Sequence, residues 1–170
     1  IGNSLKTGEM ESLLKRESFR GVLPAGATGE FCAWNITSEV TPFIEQVKSA
    51  GSIYVPQECT CTIAVDDFVL TGSLDGTCDR GVLHYHFSKV KATSHLKLWI
   101  THCILTLLRG TGSIESLLIC RESSWRYKPV CDPQKVITTL CALYNKGLQL
   151  PLHFFPETSL TGLSAGGTIT

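Results

Sequence analysis

Apolar residues recur at helical spacing in four parts of the chain. Helices are predicted over 5–19, which Gly21 ends, and over 28–51, where Pro42 is expected to kink or divide the helix. A largely buried helix of about four turns is predicted over 94–109. The last helix is predicted over 133–147, with Asp132 as N-cap and Pro133 in its first turn.

Between the second and third helices the pattern changes to that of strands. Strands are predicted over 59–65, 68–74 and 82–87, separated by turns at Asp66-Asp67 and Asp79-Arg80-Gly81, and a fourth over 114–120. The first three are expected to be consecutive antiparallel neighbours. The fold class is therefore α/β, with a mixed sheet and the order α-β-β-β-α-β-α.

Length and charge limit the picture further. The chain has 170 residues, which predicts one domain over 1–170, with a Ser, Thr and Gly rich tail over 157–170 that is loosely ordered or a truncated element. Fifteen basic residues balance fifteen acidic ones, so net charge argues neither for nor against nucleic acid. No apolar run is long enough to cross a bilayer, and a cytoplasmic location without membrane contact is expected. The eight cysteines form no CxxC pair, which favours reduced thiols over zinc or disulfides.

This order of elements fits the PD-(D/E)xK restriction-endonuclease-like core, whose site needs an acid in the second strand of the hairpin and an Asp-x-Lys pair on the next strand. Asp75 has the Gly-x-x-Asp spacing of such nucleases, although a turn-forming Asp ahead of Gly76 explains it equally well. His84 and His86 occupy the place of the Asp-x-Lys pair, and 80–114 contains no Asp or Glu. We therefore predict a vestigial site without catalytic residues, metal or cofactor. A metal site built on the two histidines is the less favoured alternative.

An active Mg²⁺-dependent DNA nuclease is the rival hypothesis. Asp75 would then bind the metal with an acid distant in sequence, Glu58 or Glu115, and Lys89 or Lys91 would support the attacking water. The missing acid on the third strand argues against it.

The acid-free stretch is locally basic. Phosphate contact, an ordinary solvated rim and a protein interface all explain this, and a sequence-independent DNA-binding module is a further alternative. The DNA-binding candidates are Arg80, Lys89, Lys91 and Lys97, with Arg109 at the end of the stretch. Trp99 is expected to be a core residue, because it lies on the apolar face of its helix.

Four stretches carry a family resemblance: LPAGATGE within 21–30, LDG at 74–76, HLKLWITH at 95–102 and LPLHFFP at 150–156. In this order they resemble the C-terminal region of RecC proteins, the gamma subunit of exodeoxyribonuclease V, the RecBCD helicase-nuclease. The resemblance runs from about 21 to 158.

The resemblance implies a domain with the nuclease fold but without the nuclease site. His95 and Trp99 stand where active relatives carry Gln and Tyr, so His95 joins Asp75, His84 and His86 in the vestigial site. It also implies RecB-like and RecD-like partner subunits, and contact with double-stranded DNA ends through their complex. The expected role is a scaffold, and part of the DNA path, in double-strand break repair and homologous recombination.

Overall fold

The computed structural model describes residues 7–110, 112, 114–153 and 155–166, with side chains between 12 and 161. These residues form a mixed α/β protein, as predicted, with one two-stranded and one three-stranded sheet. The elements are α1 (Thr7–Phe19), α2 (Ala27–Gly51), β1 (Cys59–Val65), β2 (Phe68–Leu74), β3 (Leu83–His86), α3 (Ala92–Arg109), β4 (Ser116–Cys120), β5 (Ser124–Tyr127), α4 (Pro133–Gln149) and α5 (Pro156–Gly166).

The chain divides into two compact units, Ile1–Gln46 and Val47–Thr170. The boundary lies within α2, which contains Pro42 and is not divided by it. The prediction of one domain over 1–170 stays a prediction, since two compact units can belong to one domain.

In the first unit, glycines set the path between the helices. Gly26 has a φ of 68°, a left-handed conformation that glycine adopts readily, and its carbonyl accepts hydrogen bonds from the amides of Gly29 and Glu30. A Cβ on Gly29 would lie 1.9 Å from the Pro24 carbonyl oxygen. The two glycines of the LPAGATGE stretch thus allow the backbone to turn tightly at the start of α2.

The second unit begins its sheet structure with a hairpin. β1 and β2 pair antiparallel from Cys59↔Leu74 to Val65↔Phe68, which confirms the turn predicted at Asp66-Asp67. Asp66 has a φ of 49°, a conformation that Asp tolerates better than most residues.

The third predicted strand pairs differently from the expectation. β3 does not extend the hairpin but pairs parallel with β4, in a three-stranded sheet of order β3-β4-β5. The expectation of three consecutive antiparallel strands is therefore wrong. A helical connection, α3, separates β3 from β4, which is the arrangement that parallel neighbours require. β5, which pairs antiparallel with β4, was not predicted.

α3 is the central element of the second unit. One side packs into a cluster with the β3–β4 region, and the other into a cluster with the hairpin and α4. The first cluster contains Val82, Leu98, Leu105, Ile114, Leu118 and Cys120. The second contains Val65, Cys103 and Ile137, with Trp99 packed against it, as expected for a core tryptophan.

A buried polar network ties α3 to the sheet. The Ser116 hydroxyl accepts from the Val82 amide (2.9 Å) and donates to His102 Nδ1 (2.7 Å). His102 Nε2–H donates to the Lys128 carbonyl oxygen (3.1 Å). His102 and Ser116 are completely buried. Burial lowers the pKa of His102, so its ring is neutral in this network.

Carboxylates accept hydrogen bonds from backbone amides at the starts of α4 and α3. Asp132 Oδ1 accepts from the Lys135 amide (3.0 Å), which confirms the predicted N-cap of α4. Glu157 Oε1, on α5, accepts from the Ala92 amide at the start of α3 (2.9 Å). A helix over Pro156–Gly166 occupies most of the tail over 157–170, which was predicted to be loosely ordered or a truncated element. Residues 167–170 lie outside the described residues.

All eight cysteines are free thiols. Burial raises the pKa of Cys103 to about 11 and also raises that of Cys120, so both thiols stay protonated at neutral pH. In the described ranges, no helix has the length and apolar character that a membrane crossing demands.

Candidate functional site

A cleft of about 380 Å³ opens between β3, the start of α3 and the turn after β2. This volume lies in the range of roughly 300–1,000 Å³ that is typical of small-ligand pockets. Its lining brings together three of the four residues predicted for the vestigial site. The lining residues are Asp75, Leu83, His84, Tyr85, His86, Ser94, Lys97 and Leu118.

The strand side of the cleft carries the two histidines. His84 and His86 alternate with Tyr85 along β3 and therefore share one face of the strand. The parallel register places Cys120 of β4 beside His86. His86 Nε2 lies 3.4 Å from both the Cys120 Sγ and the Ser94 Oγ, so it contacts both the neighbouring strand and α3.

The turn after β2 supplies the acid. Asp75 and Gly76 form this turn, and Gly76 has a φ of 71°. A Cβ on Gly76 would lie 2.6 Å from the Leu83 carbonyl oxygen and 2.8 Å from the His84 ring, so only glycine fits here. His84 Nε2–H donates to the Asp75 carbonyl oxygen (3.2 Å). Asp75 therefore both forms a turn and lines the cleft.

The helix side supplies a lysine. Ser94 and Lys97 are three residues apart on α3 and lie on one face of it. Lys97 lines the cleft, whereas Lys89 and Lys91, the lysines considered for a nuclease, are exposed in the connection between β3 and α3. Ser94 and Tyr85 were not predicted as site residues. For Ser94, the only signal in the sequence was a weak one, which is its i,i+3 spacing to Lys97 on the same helix.

The charges around the cleft act on His84 in opposite directions. Desolvation by burial lowers the pKa of His84, and Lys97 and His86 lower it further by repulsion. The hydrogen bond to the Asp75 carbonyl and the Asp75 carboxylate oppose this. The net direction is downward, so the ring is mainly neutral near pH 7.

His95 lies on another face of α3 and is not among the residues that line the cleft. Its Nδ1 is hydrogen-bonded to the Tyr127 hydroxyl, and its ring packs edge-on against Trp125 at 4.8 Å. Burial lowers the pKa of His95 and is the main cause that raises the pKa of Tyr127 to about 12. This residue therefore joins α3 to β5 instead of facing the cleft.

Two basic residues of the acid-free stretch have distinct surroundings. Arg80 is exposed in the turn after Asp79. Arg109 Nη1 donates to the carbonyl oxygens of Cys78 (2.6 Å) and Asp79 (3.2 Å), and its Nη2 donates to Gln57 Oε1 (2.9 Å). Arg109 therefore holds the end of α3 to this turn.

The lining of the cleft has one carboxylate, that of Asp75. Neither Glu58 nor Glu115 lines it, and Glu115 is within ion-pair distance of Arg126 at 3.8 Å. Across the described positions, no three His, Cys, Asp or Glu side chains come together as metal ligands would.

These features define a mixed α/β domain whose cleft holds one acid, two histidines and a lysine. The model of the RecC C-terminal domain family matches residues 1–167, and the chain belongs to this family. It is 24% identical to the RecBCD enzyme subunit RecC of Escherichia coli over 152 residues, which are 88% of this chain and 13% of that protein. It is 22% identical to the same subunit of Buchnera aphidicola over 151 residues, 87% of this chain and 14% of that protein. The chain thus spans about one seventh of the length of these relatives.

Proposed function

We propose that this domain is a non-catalytic part of a RecC-type subunit of exodeoxyribonuclease V. It acts in the cytoplasm, in double-strand break repair and homologous recombination, as a scaffold for RecB-like and RecD-like subunits. Membership of the RecC C-terminal domain family supports the proposal, as do two relatives whose names place them in the RecBCD enzyme.

We further propose that the fold is a degenerate PD-(D/E)xK core. The position of Asp75 after the second strand of a hairpin supports this, as does a following strand whose residues line the same cleft. The connection through α3 to a parallel β4 is also compatible with it.

The observation that carries the proposal is the single carboxylate of the cleft. Metal-dependent phosphodiester cleavage needs carboxylates that hold a hard divalent cation close to the attacked phosphate. His84 and His86 stand on the strand that would supply the second acid, and imidazole is a poor ligand for Mg²⁺. Without that acid the cleft lacks the charge to hold the metal.

The DNA path is proposed along the exposed basic residues Arg80, Lys89 and Lys91, with Lys97 at the cleft. Such residues contact phosphates without reading sequence. Arg109 is left out, because its guanidinium already binds two carbonyls and one amide oxygen.

A combined binding and cleavage experiment tests the proposal. The 170-residue chain is mixed with RecB-like and RecD-like subunits in a pull-down, and separately with linear DNA and Mg²⁺. We expect subunit binding without cleavage. Double-stranded DNA ends are then added to the assembled complex, where Lys89→Glu with Lys91→Glu should weaken binding and Lys146→Glu, on α4, should not. Cleavage by the chain alone would contradict the non-catalytic role, and failure to bind either subunit would contradict the scaffold role.

A calorimetric titration tests the dead site directly. We expect no tight Mg²⁺ or Mn²⁺ binding to the chain. A tight site that is lost in Asp75→Ala, and kept in the hairpin variant Asp67→Ala, would show that the cleft is a working metal centre.

A further inference from the structure

We propose that the cleft binds one phosphodiester group of a nucleic-acid strand without a metal ion, through Lys97, Ser94 and the imidazoles of His84 and His86. The inference rests on the proposed function, because it assumes that the cleft no longer holds a catalytic cation. It adds a ligand and a chemical role for the residues that replaced the acidic site.

The first argument is the set of groups that the fold brings together. Ser94 and Lys97 on one face of α3 meet His84 and His86 on one face of β3, around a single cleft. Ammonium, hydroxyl and imidazole N–H groups are all hydrogen-bond donors to phosphate oxygens. The 380 Å³ cleft is larger than a single ion needs.

The second argument is that the same set disfavours a cation. The Lys97 ammonium lines the cleft, and one carboxylate alone offsets its repulsion of a divalent ion, whereas an active nuclease sets two acids against its lysine. Asp75 is the one lining group of opposite charge. An anion therefore gains from Lys97 and from protonation of His84, and is repelled by the Asp75 carboxylate.

The third argument is the hydrogen bonding of His84. Its Nε2–H donates to the Asp75 carbonyl oxygen, which leaves Nδ1 to take up the proton when the ring becomes charged. Asp75, Tyr85, His86 and Lys97 are the titratable groups around it from the turn, β3 and α3, and β4 contributes Leu118 and the Cys120 thiol beside His86. The ring is mainly neutral near pH 7, so a bound phosphate should draw a proton onto it. Binding should therefore strengthen as pH falls.

The test is a titration of the whole chain with tetrathymidylate or with inorganic phosphate, in EDTA, at pH 6 and pH 8, followed through the imidazole NMR signals. We expect the His84 and His86 signals to shift. Tetrathymidylate, whose phosphodiesters keep the same charge at both pH values, should bind more tightly at pH 6. Lys97→Gln should weaken binding about fivefold, which is the effect of one charge at close range in a solvated site. The matched control Lys146→Gln should leave it unchanged.

Asp75→Asn best distinguishes a metal-free phosphate site from a metal-dependent one. It removes the one carboxylate of the cleft, so phosphate affinity should rise about threefold to fivefold, while Asp67→Asn should have no effect. In a metal-dependent site the same change would abolish binding. Circular dichroism confirms that each variant is folded.

Each outcome separates the inference from the proposed function. No binding in EDTA, or no effect of Lys97→Gln, overturns the inference. Absence of cleavage when the same protein is mixed with linear DNA and Mg²⁺, without EDTA, leaves the proposed function standing. Cleavage with Mg²⁺ overturns both. Tetrathymidylate that binds no tighter than inorganic phosphate overturns the assignment to a nucleic-acid strand.

Discussion

His102 is the residue whose replacement should reveal most about the stability of the second unit. His102→Leu leaves the Ser116 hydroxyl proton and the Lys128 carbonyl without their partner. A buried polar group left unpaired costs roughly 1–3 kcal/mol, and the Lys128 bond is only partly buried, so we expect a loss of about 3 kcal/mol in the free energy of unfolding. The packing of the ring on Trp99, with centroids 5.9 Å apart, adds to the loss.

Urea unfolding followed by tryptophan fluorescence measures this loss. Trp99 and Trp125 both belong to the second unit, so a Trp34→Phe background restricts the signal to it. His102→Leu is combined with Ser116→Ala in a double-mutant cycle. Because the two side chains share a hydrogen bond, their costs should fall short of additivity by about 1 kcal/mol.

The control is Thr139→Ala, which removes an exposed hydroxyl on α4 and should change stability by less than about 0.5 kcal/mol. The reasoning is refuted if His102→Leu unfolds at the same urea concentration as the parent, or if its cost adds fully to that of Ser116→Ala.

The same residue predicts a pH dependence. Its pKa is lowered in the folded chain, so on acidification the unfolded chain takes up the proton first, near pH 6.5. The stability that the neutral ring contributes is present above this pH and is lost as pH falls through the folded pKa, by up to about 1.4 kcal/mol per pH unit. His102→Leu should flatten the slope of unfolding free energy between pH 7 and pH 5. An unchanged slope would contradict a neutral buried His102.

Substitutions of three further residues, each with a matched comparison, test local contacts by urea unfolding. Gly81→Ala would place a Cβ 1.8 Å from the Glu115 carbonyl oxygen and should cost more than about 2 kcal/mol. Gly72→Ala, where no atom lies within 4 Å, should cost much less, and equal costs would refute the argument. Arg109→Ala loses all three of its hydrogen bonds and should cost about 1–2 kcal/mol, only partly recovered by Arg109→Lys, whose ammonium lacks the fork geometry. Glu157→Ala removes the cap of α3 and should cost about 1 kcal/mol, with Glu157→Gln intermediate because it keeps an acceptor oxygen. A neutral Glu157→Ala would mean that the cap does not stabilise the helix.

Local patterns predicted the helices and the hairpin well. The N-cap at Asp132 and the turn at Asp66-Asp67 depend on neighbouring residues, which a single sequence displays. The predicted pairing of β3 with the hairpin was wrong. Its pairing with β4 depends on how α3 crosses the sheet and not on the residues of the strand itself. α5 was not predicted, because its Ser, Thr and Gly residues are weak helix formers. The hydrogen bond from its Glu157 to the start of α3 joins distant parts of the chain, and no local pattern displays it.

The site was predicted in part for a similar reason. Alternation along β3 and the position of Asp75 after β2 were sufficient to group His84 and His86 with it. His95 was grouped with them by resemblance alone, and its place beside Tyr127 depends on β5, an element that the pattern did not reveal. Lys97 was predicted as a DNA-binding candidate and was not grouped with the vestigial site, because which face of α3 meets the cleft follows only from packing.

The parallel pairing of β3 and β4 has a consequence for how the domain folds. The hairpin closes a turn of two residues, whereas His86 and Cys120 must meet across 34 positions of sequence. Closing the longer loop costs more entropy before any contact is gained, so the hairpin should form early and the β3–β4 pair late. The cleft is lined by residues of β3, α3 and β4, and so it should exist only in molecules in which β3 has paired with β4. Amide hydrogen exchange along β3 would therefore report on how many chains have reached the fully assembled state.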